Sequence, residues 1–173
     1  MHITLSFVAS ADGRVTGPKG QESRVWASSH DQILFGKLIE RTSLVIMGRN
    51  TYEAHKQFFV KTPHIRRIVM TSGKSDKRAP KGVEFSSLSP MRLAQSLKKQ
   101  GCTTALLAGG PRLSAAFFKA KLVSELILTI EPKLFGGGLP VLEGPIGRPK
   151  LSLLSVKKLN RAGTMLLRYK VHV

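Results

Sequence analysis

The chain has a single cysteine, Cys102, in 173 residues, which excludes an internal disulfide framework. That fits a reducing compartment, and Cys102 opens an apolar run, as a buried inert thiol does. Aromatic residues make up only 6% of the chain. No RNA-recognition aromatic signature, zinc-finger spacing or basic region leading into heptads is present. Acids are scarce: ten Asp and Glu face 28 Lys and Arg, for a formal net charge of +18. No apolar run approaches the length of about 20 residues that a bilayer crossing needs. Met1-His2-Ile3-Thr4-Leu5 lacks the basic and apolar regions of a secretory signal. The expectation is a cytoplasmic protein with no membrane partner. The five histidines, His2, His30, His55, His64 and His172, show no metal-ligand spacing, so no metal is expected. Neither the Rossmann G-x-G-x-x-G nor the P-loop occurs.

What is present describes a globular chain. A hydrophobic content of 42% and a charged content of 22% fit one domain, residues 1–173, with a substantial core. The positive charge attracts anions in general: nucleic acid, an acidic membrane surface or a phosphorylated small molecule. It is spread along the chain, with short clusters at residues 74–81 (Lys74, Lys77, Arg78, Lys81), at Lys98-Lys99 and at Lys157-Lys158.

Hydrophobic patterning alternates strand with helix. Residues 3–9 predict a buried strand ended by Asp12-Gly13, and residues 14–25 an open loop. Ser28 or Ser29 caps a helix to about residue 41, with Ile33, Leu34, Leu38 and Ile39 at helical spacing. Residues 43–47 are a second strand, 51–59 a short helix, 66–71 a third strand and 83–85 a fourth. Ser89-Pro90 starts a helix that Gly101 ends. Residues 103–107, 113–120 and 124–130 read as strand, helix and strand. Residues 151–160 and 164–173 form a hairpin around Arg161-Ala162-Gly163. The order predicts a three-layer α/β fold: a mostly parallel mixed sheet, helices on both faces, and a C-terminal antiparallel hairpin.

Two junctions carry the chemistry. Leu44-Val45-Ile46-Met47-Gly48-Arg49-Asn50-Thr51 and Ala105-Leu106-Leu107-Ala108-Gly109-Gly110-Pro111-Arg112 each read as a strand that turns on glycine into a helix. That geometry aims backbone N–H groups and a helix N-terminus at one spot, which suits phosphate. Arg49 at a helix start is unfavourable without an anion, because that end is already positive. Two such junctions in a basic chain point to a bound dinucleotide.

The order Ser10-Ala11-Asp12-Gly13, Trp26-Ala27-Ser28-Ser29, Gly48-Arg49-Asn50-Thr51-Tyr52, Ala108-Gly109-Gly110-Pro111, residues 122–130 and Gly136-Gly137-Gly138 resembles the dihydrofolate reductase-like superfamily. Within it, nearly the whole chain is similar to the RibD C-terminal, or riboflavin-biosynthesis reductase, domain family. The resemblance implies an NADPH-dependent reductase of a pteridine or aminopyrimidine-type substrate, working as a homodimer. It places Gly48, Arg49, Asn50, Thr51, Gly109, Gly110, Pro111 and Arg112 at the cofactor phosphates and Thr71 and Ser72 near the adenosine 2′-phosphate. Ser10, Asp12, Trp26 and Ser28 surround the substrate, and Asp31 is the catalytic acid.

The chain departs from riboflavin-pathway reductases at Ala108, where they carry an acid, and at Tyr52-Glu53-Ala54-His55, which is closer to dihydrofolate reductases. Weak activity on the riboflavin intermediate is therefore expected, with dihydrofolate the second substrate to assay. Two readings stand for three residues. Asp12 contacts substrate or forms a turn. Asp31 assists protonation or serves the helix dipole. Trp26 lines a ring pocket or packs. The rival to a reductase is a basic nucleic-acid or anion-binding module on the same fold, recognisable by a contiguous basic face remote from the glycine junctions.

Overall fold

Alternating apolar side chains on short β-branched strands give a sheet buried on both faces. The computed structural model describes residues 1–73, 76 and 78–172. Its strands are β1 (His2–Ser10), β2 (Leu44–Gly48), β3 (Arg66–Met70), β4 (Val83–Ser86), β5 (Thr104–Leu107), β6 (Glu125–Glu131), β7 (Lys150–Lys158) and β8 (Met165–His172). Its α-helices are α1 (Ser23–Trp26), α2 (Ser29–Glu40), α3 (Arg49–His55), α4 (Pro90–Lys99) and α5 (Pro111–Lys119). The strands form one sheet in the order β4-β3-β2-β5-β1-β6-β8-β7. The first six run parallel; β8 is antiparallel to β6, and β7 to β8.

The period of two sorts each strand between two cores. Leu44 and Ile46 join Ile3, Leu5 and Phe7 of β1 under Leu93 and Leu97 of α4 and Phe117 of α5. Val45 and Met47 turn to the other face, with Tyr52 of α3 and Phe35, Leu38 and Ile39 of α2. This is the expected α/β sandwich, with helices on both faces and the antiparallel hairpin at one edge. α4 starts at Ser89, whose hydroxyl accepts the Arg92 N–H, and Gly101 leaves it at φ +83°.

Local differences have simple causes. The loop over residues 14–25 holds α1, which ends where Trp26 is buried. The third helix begins at Arg49, because Gly48 itself takes the cap position, and it gives way to a 3-10 turn over Lys56–Lys61. β6 runs one residue beyond expectation, to Glu131, which pairs with Ser10. Glu125 at its start is paired within the chain, accepting from Arg168 at 2.6 Å across the β6–β8 ladder. Lys74 and Lys77 of the basic cluster, and Val173 at the hairpin's end, lie outside the described residues.

Candidate functional site

β1 runs past its neighbour. Its pairing with β5 ends at Leu5 opposite Leu107, whereas Ser6 to Ser10 pair with β6 alone. A crevice therefore opens at the carboxyl ends of the strands. It lies where β5 inserts between β2 and β1 and the strand order reverses, the place where open α/β sheets hold ligands.

Glycine forms one wall. The Gly48 N–H donates to the Gly109 carbonyl at 3.1 Å, and the Ala108 N–H to the Ile46 carbonyl at 2.9 Å, so the two junctions lie side by side. A Cβ at Gly109 would stand 3.3 Å from the Phe7 ring, at a φ of +93°. One at Gly110 would stand 3.7 Å from the Thr51 hydroxyl. Gly110 caps α5 with no side-chain bond to the helix start, and Pro111 occupies the first turn. Among the described residues the leading N–H groups of α5 thus have no side-chain cap, and the helix dipole adds to their pull on an anion.

The arginines of this wall differ. Arg49 bonds Glu53 at 2.7 Å and lies over the rings of Tyr52 and Phe85, at 5.6 and 5.4 Å. Arg112 bonds Glu143 at 2.8 Å and is highly exposed. Its guanidinium is engaged by that acid. Asn50 is exposed, and the Thr51 carbonyl lies 3.0 Å from His55 Nδ1. Past β3, the Thr71 N–H donates to the Ser86 carbonyl at 2.9 Å and its hydroxyl accepts the Gly73 N–H at 3.0 Å, while Ser72 is exposed. Asp76, which accepts from Tyr52 at 2.9 Å and Lys56 at 3.2 Å, ties this loop to α3. The Arg78 N–H, then Tyr52 and Lys56, hold its carboxyl down to about 2.

Acids form the other wall. Asp31, in the first turn of α2, is only 8% exposed. Its N–H donates to the Ser28 hydroxyl at 3.3 Å. Its carboxylate meets the hydroxyl of Thr129, opposite Val8 of β1. Burial, with the charge of Glu131 added, pushes the Asp31 carboxyl up to about 6 against the opposing bond from Thr129. Glu131 is buried as well, on the same face of β6. It accepts the Ser28 N–H at 2.8 Å and the Thr164 hydroxyl at 2.6 Å. Burial works against its charge, but Thr164, Ser28 and Lys133 outweigh that and keep its carboxyl below the usual range. Of the two acids, Glu131 is held below the ordinary carboxylate range and Asp31 above it.

Trp26 is buried edge-on to Phe135, with ring centroids 5.1 Å apart. Its carbonyl accepts from Lys133, and its indole N–H has no hydrogen-bond partner among the described residues. Ser10 and Asp12 are engaged elsewhere. Asp12 accepts from the Ser10 hydroxyl at 2.6 Å and from the N–H groups of Phe135 and Gly136 at 3.1 and 2.9 Å. Those bonds, the Ser10 hydroxyl first, hold its carboxyl near 2. The pair ties the end of β1 to the 133–138 loop, which carries Phe135 against Trp26. Gly138 lets that loop close: a Cβ there would meet the Thr16 carbonyl at 2.4 Å.

Residues 1–164 match the family model described as the RibD C-terminal domain. The chain belongs to the RibD C-terminal domain family. Its structural neighbours give it a dihydrofolate reductase-like fold. A curated relative, the uncharacterized protein YwjB of Bacillus subtilis (strain 168), is 26% identical over 129 residues, 74% of each chain. A Shewanella sp. PV-4 protein named for riboflavin biosynthesis superposes with a TM-score of 0.80 at 18% identity, over 100% of both chains. The Thermotoga maritima diaminohydroxyphosphoribosylaminopyrimidine deaminase/5-amino-6-(5-phosphoribosylamino)uracil reductase gives 0.75 at 18%, over 99% of this chain and 56% of that one. Dihydrofolate reductase from Enterococcus faecalis, solved with NADP(H), gives 0.69 at 15%, over 99% and 97%.

Sequence reasoning missed Thr129, Glu131 and Thr164. Thr129 and Glu131 alternate on one face of an otherwise apolar strand, and that spacing was the available signal. Thr164 reaches Glu131 from 33 residues away, which no local pattern shows.

Proposed function

We propose that this chain is a reductase that uses NADPH to reduce a pteridine or aminopyrimidine-type ring resting against Asp31. The observation that carries this reading is the Asp31 carboxyl, buried over Thr129 beside the crevice and pushed up to about 6. Reducing a C=N bond adds hydride to carbon and a proton to nitrogen. A carboxyl that titrates close to neutrality can hand that proton over or accept a ring N–H. Thr129 orients it, Glu131 supplies the fixed charge behind it, and the Trp26 indole N–H remains as a donor for a ring oxygen or water.

The glycine wall fits a dinucleotide. Side chains are absent where Gly48, Gly109 and Gly110 approach one another, and the uncapped start of α5 lies beside them. Gly110, Pro111 and the first turn of α5 would hold the pyrophosphate, Gly48, Arg49 and Thr51 its neighbouring phosphate, and Thr71 and Ser72 the adenosine end. When bound, NADPH supplies the hydride. Fluorescence titration with NADPH and NADH, followed by NADPH oxidation with dihydrofolate and with the phosphoribosylamino-pyrimidine, tests the reading. Tighter NADPH binding and turnover on one heterocycle are expected; no cofactor binding at moderate salt refutes it.

One observation favours the rival module. Lys150 and Lys157 of β7 share a sheet face with Lys170 and His172 of β8, at the edge remote from the glycine junctions. Tight, salt-sensitive nucleic-acid binding without cofactor binding moves the function there.

A further inference from the structure

The turn between β7 and β8 reaches back into the acid wall of the crevice. Thr164 is fully buried there, and its hydroxyl donates to Glu131 Oε2 at 2.6 Å. Asn160 fixes the sense of that bond. Its Oδ1 accepts the Gly163 and Thr164 N–H groups at 3.0 and 3.1 Å, as only a carbonyl oxygen can. Its Nδ2 is therefore the atom 2.8 Å from the Thr164 hydroxyl, and an amide nitrogen only donates. A hydroxyl has one proton to give. With Asn160 donating to it, Thr164 gives that proton to Glu131.

Ser28 acts in the same sense on the other oxygen. Its backbone N–H, which cannot accept, donates to Glu131 Oε1 at 2.8 Å. Its hydroxyl accepts the Asp31 N–H at 3.3 Å and turns its own proton to Glu131. Both oxygens of Glu131 thus face donors, and a proton on Glu131 would have to displace one of them. Asp31 is held less firmly, with Thr129 bonding its carboxylate and burial opposing its charge. Two neighbouring buried carboxyls ionise in turn, and their hydrogen bonds choose which goes first. Lys133, just past β6, adds its charge in favour of ionised Glu131. Around the pair, Arg24 of α1 is turned onto the Phe58 ring, while His30 of α2, Lys158 of β7 and Arg161 of the turn are exposed.

We propose that Asn160 and Thr164 are positioning residues that keep Glu131 ionised and so assign the proton of the acid pair to Asp31. The use of that assignment rests on the reductase reading: a proton held by Glu131, enclosed by Ser28 and Thr164, would not serve a ring resting against Asp31.

Carbon-13 NMR titration of the side-chain carboxyls in the full chain tests it, with Asp31→Asn and Glu131→Gln assigning the two signals. In wild type Asp31 is expected to titrate at about 6 while Glu131 stays ionised through that range. Thr164→Val keeps the shape of the side chain and removes the donor. It should raise the Glu131 midpoint by at least about one pH unit, as loss of a charge-assisted bond does, and let Glu131 share the proton with Asp31. Asn160→Ala, which frees the Thr164 hydroxyl to turn, should give an intermediate value, and Thr164→Ser should restore the wild-type curves. Far-UV circular dichroism checks each fold; if Thr164→Val does not fold, Asn160→Ala carries the same test. A Glu131 midpoint that stays in place in the folded variants overturns the proposal, as does one that moves equally in Thr164→Ser. The titration needs neither cofactor nor substrate. A chain that binds no NADPH but shows the raised Glu131 midpoint therefore upholds the assignment and refutes the reductase reading.

Discussion

Replacing Asp31 with asparagine removes a buried charge and a transferable proton together, and the two losses act in opposite directions on stability and on rate. The carboxyl moves from an ordinary 3.8 to about 6 on folding. At about 1.4 kcal/mol per pH unit, that difference corresponds to about 3 kcal/mol. The sign follows from proton binding. Between these two values the folded chain keeps the proton and the unfolded chain has lost it. Stability therefore falls as pH rises through that window, and at neutral pH the folded state carries the whole penalty. Asparagine carries none of it, and loses about 1 kcal/mol from the bond with Thr129. Asp31→Asn should then be about 2 kcal/mol more stable than wild type at neutral pH, with the gain gone once pH falls well below 6. Urea denaturation at both pH values, followed by the fluorescence of the single Trp26, measures it. The same variant should lose about 10²- to 10³-fold in kcat/KM for NADPH oxidation. In wild type that rate should fall as pH rises through the Asp31 value. A stability difference that is equal at the two pH values refutes the buried, titrating carboxyl. Unchanged turnover in the variant removes Asp31 from the chemistry.

Glu131→Gln withdraws the fixed charge behind Asp31 and should move the descending limb of the pH–rate profile, where the rate falls as pH rises, to lower pH. It should also destabilise by about 1–3 kcal/mol, since Ser28 and Thr164 lose a charged acceptor; a profile that does not move shows that the two acids are uncoupled. Gly110→Val should abolish NADPH binding with little loss of stability, because the backbone there has an ordinary φ of −85° and the added carbon lies 3.7 Å from Thr51. Gly109→Val should damage folding as well, since its φ is positive and Phe7 is close; normal NADPH affinity in a folded Gly110→Val reduces the junction to a tight turn. Arg49→Ala should weaken NADPH by about 1–2 kcal/mol, whereas Arg112→Ala should change it by less than about 0.5 kcal/mol. The reverse order, read by fluorescence titration, would exchange their roles.

Period and punctuation carried the fold: alternating apolar residues gave the strands, Ser-Pro and Gly gave the ends of α4, and the glycine junctions fell where β2 and β5 hand over to helices. What local pattern misses is decided by partners far along the chain. Asp12 in Asp-Gly reads equally as a turn or a ligand contact, and no local pattern shows that Phe135 and Gly136, 123 and 124 residues away, bond its oxygens. The same holds for the pairing of Arg112 with Glu143, 31 residues on. Asp31 shows the converse. In the sequence it is an acid in a helix's first turn, where the dipole alone explains it. Its altered proton affinity arises because α2 packs it onto Thr129 beside Glu131, and both of those belong to a strand that reads as core. A buried acid on an apolar strand is costly unless it is bonded. Glu131 is bonded by Ser28 and Thr164, and the charge of Lys133 adds to them, from three separate segments. An uncharged residue at position 131 would withdraw only the part of the Asp31 shift that the Glu131 charge adds; burial, the larger cause, would remain.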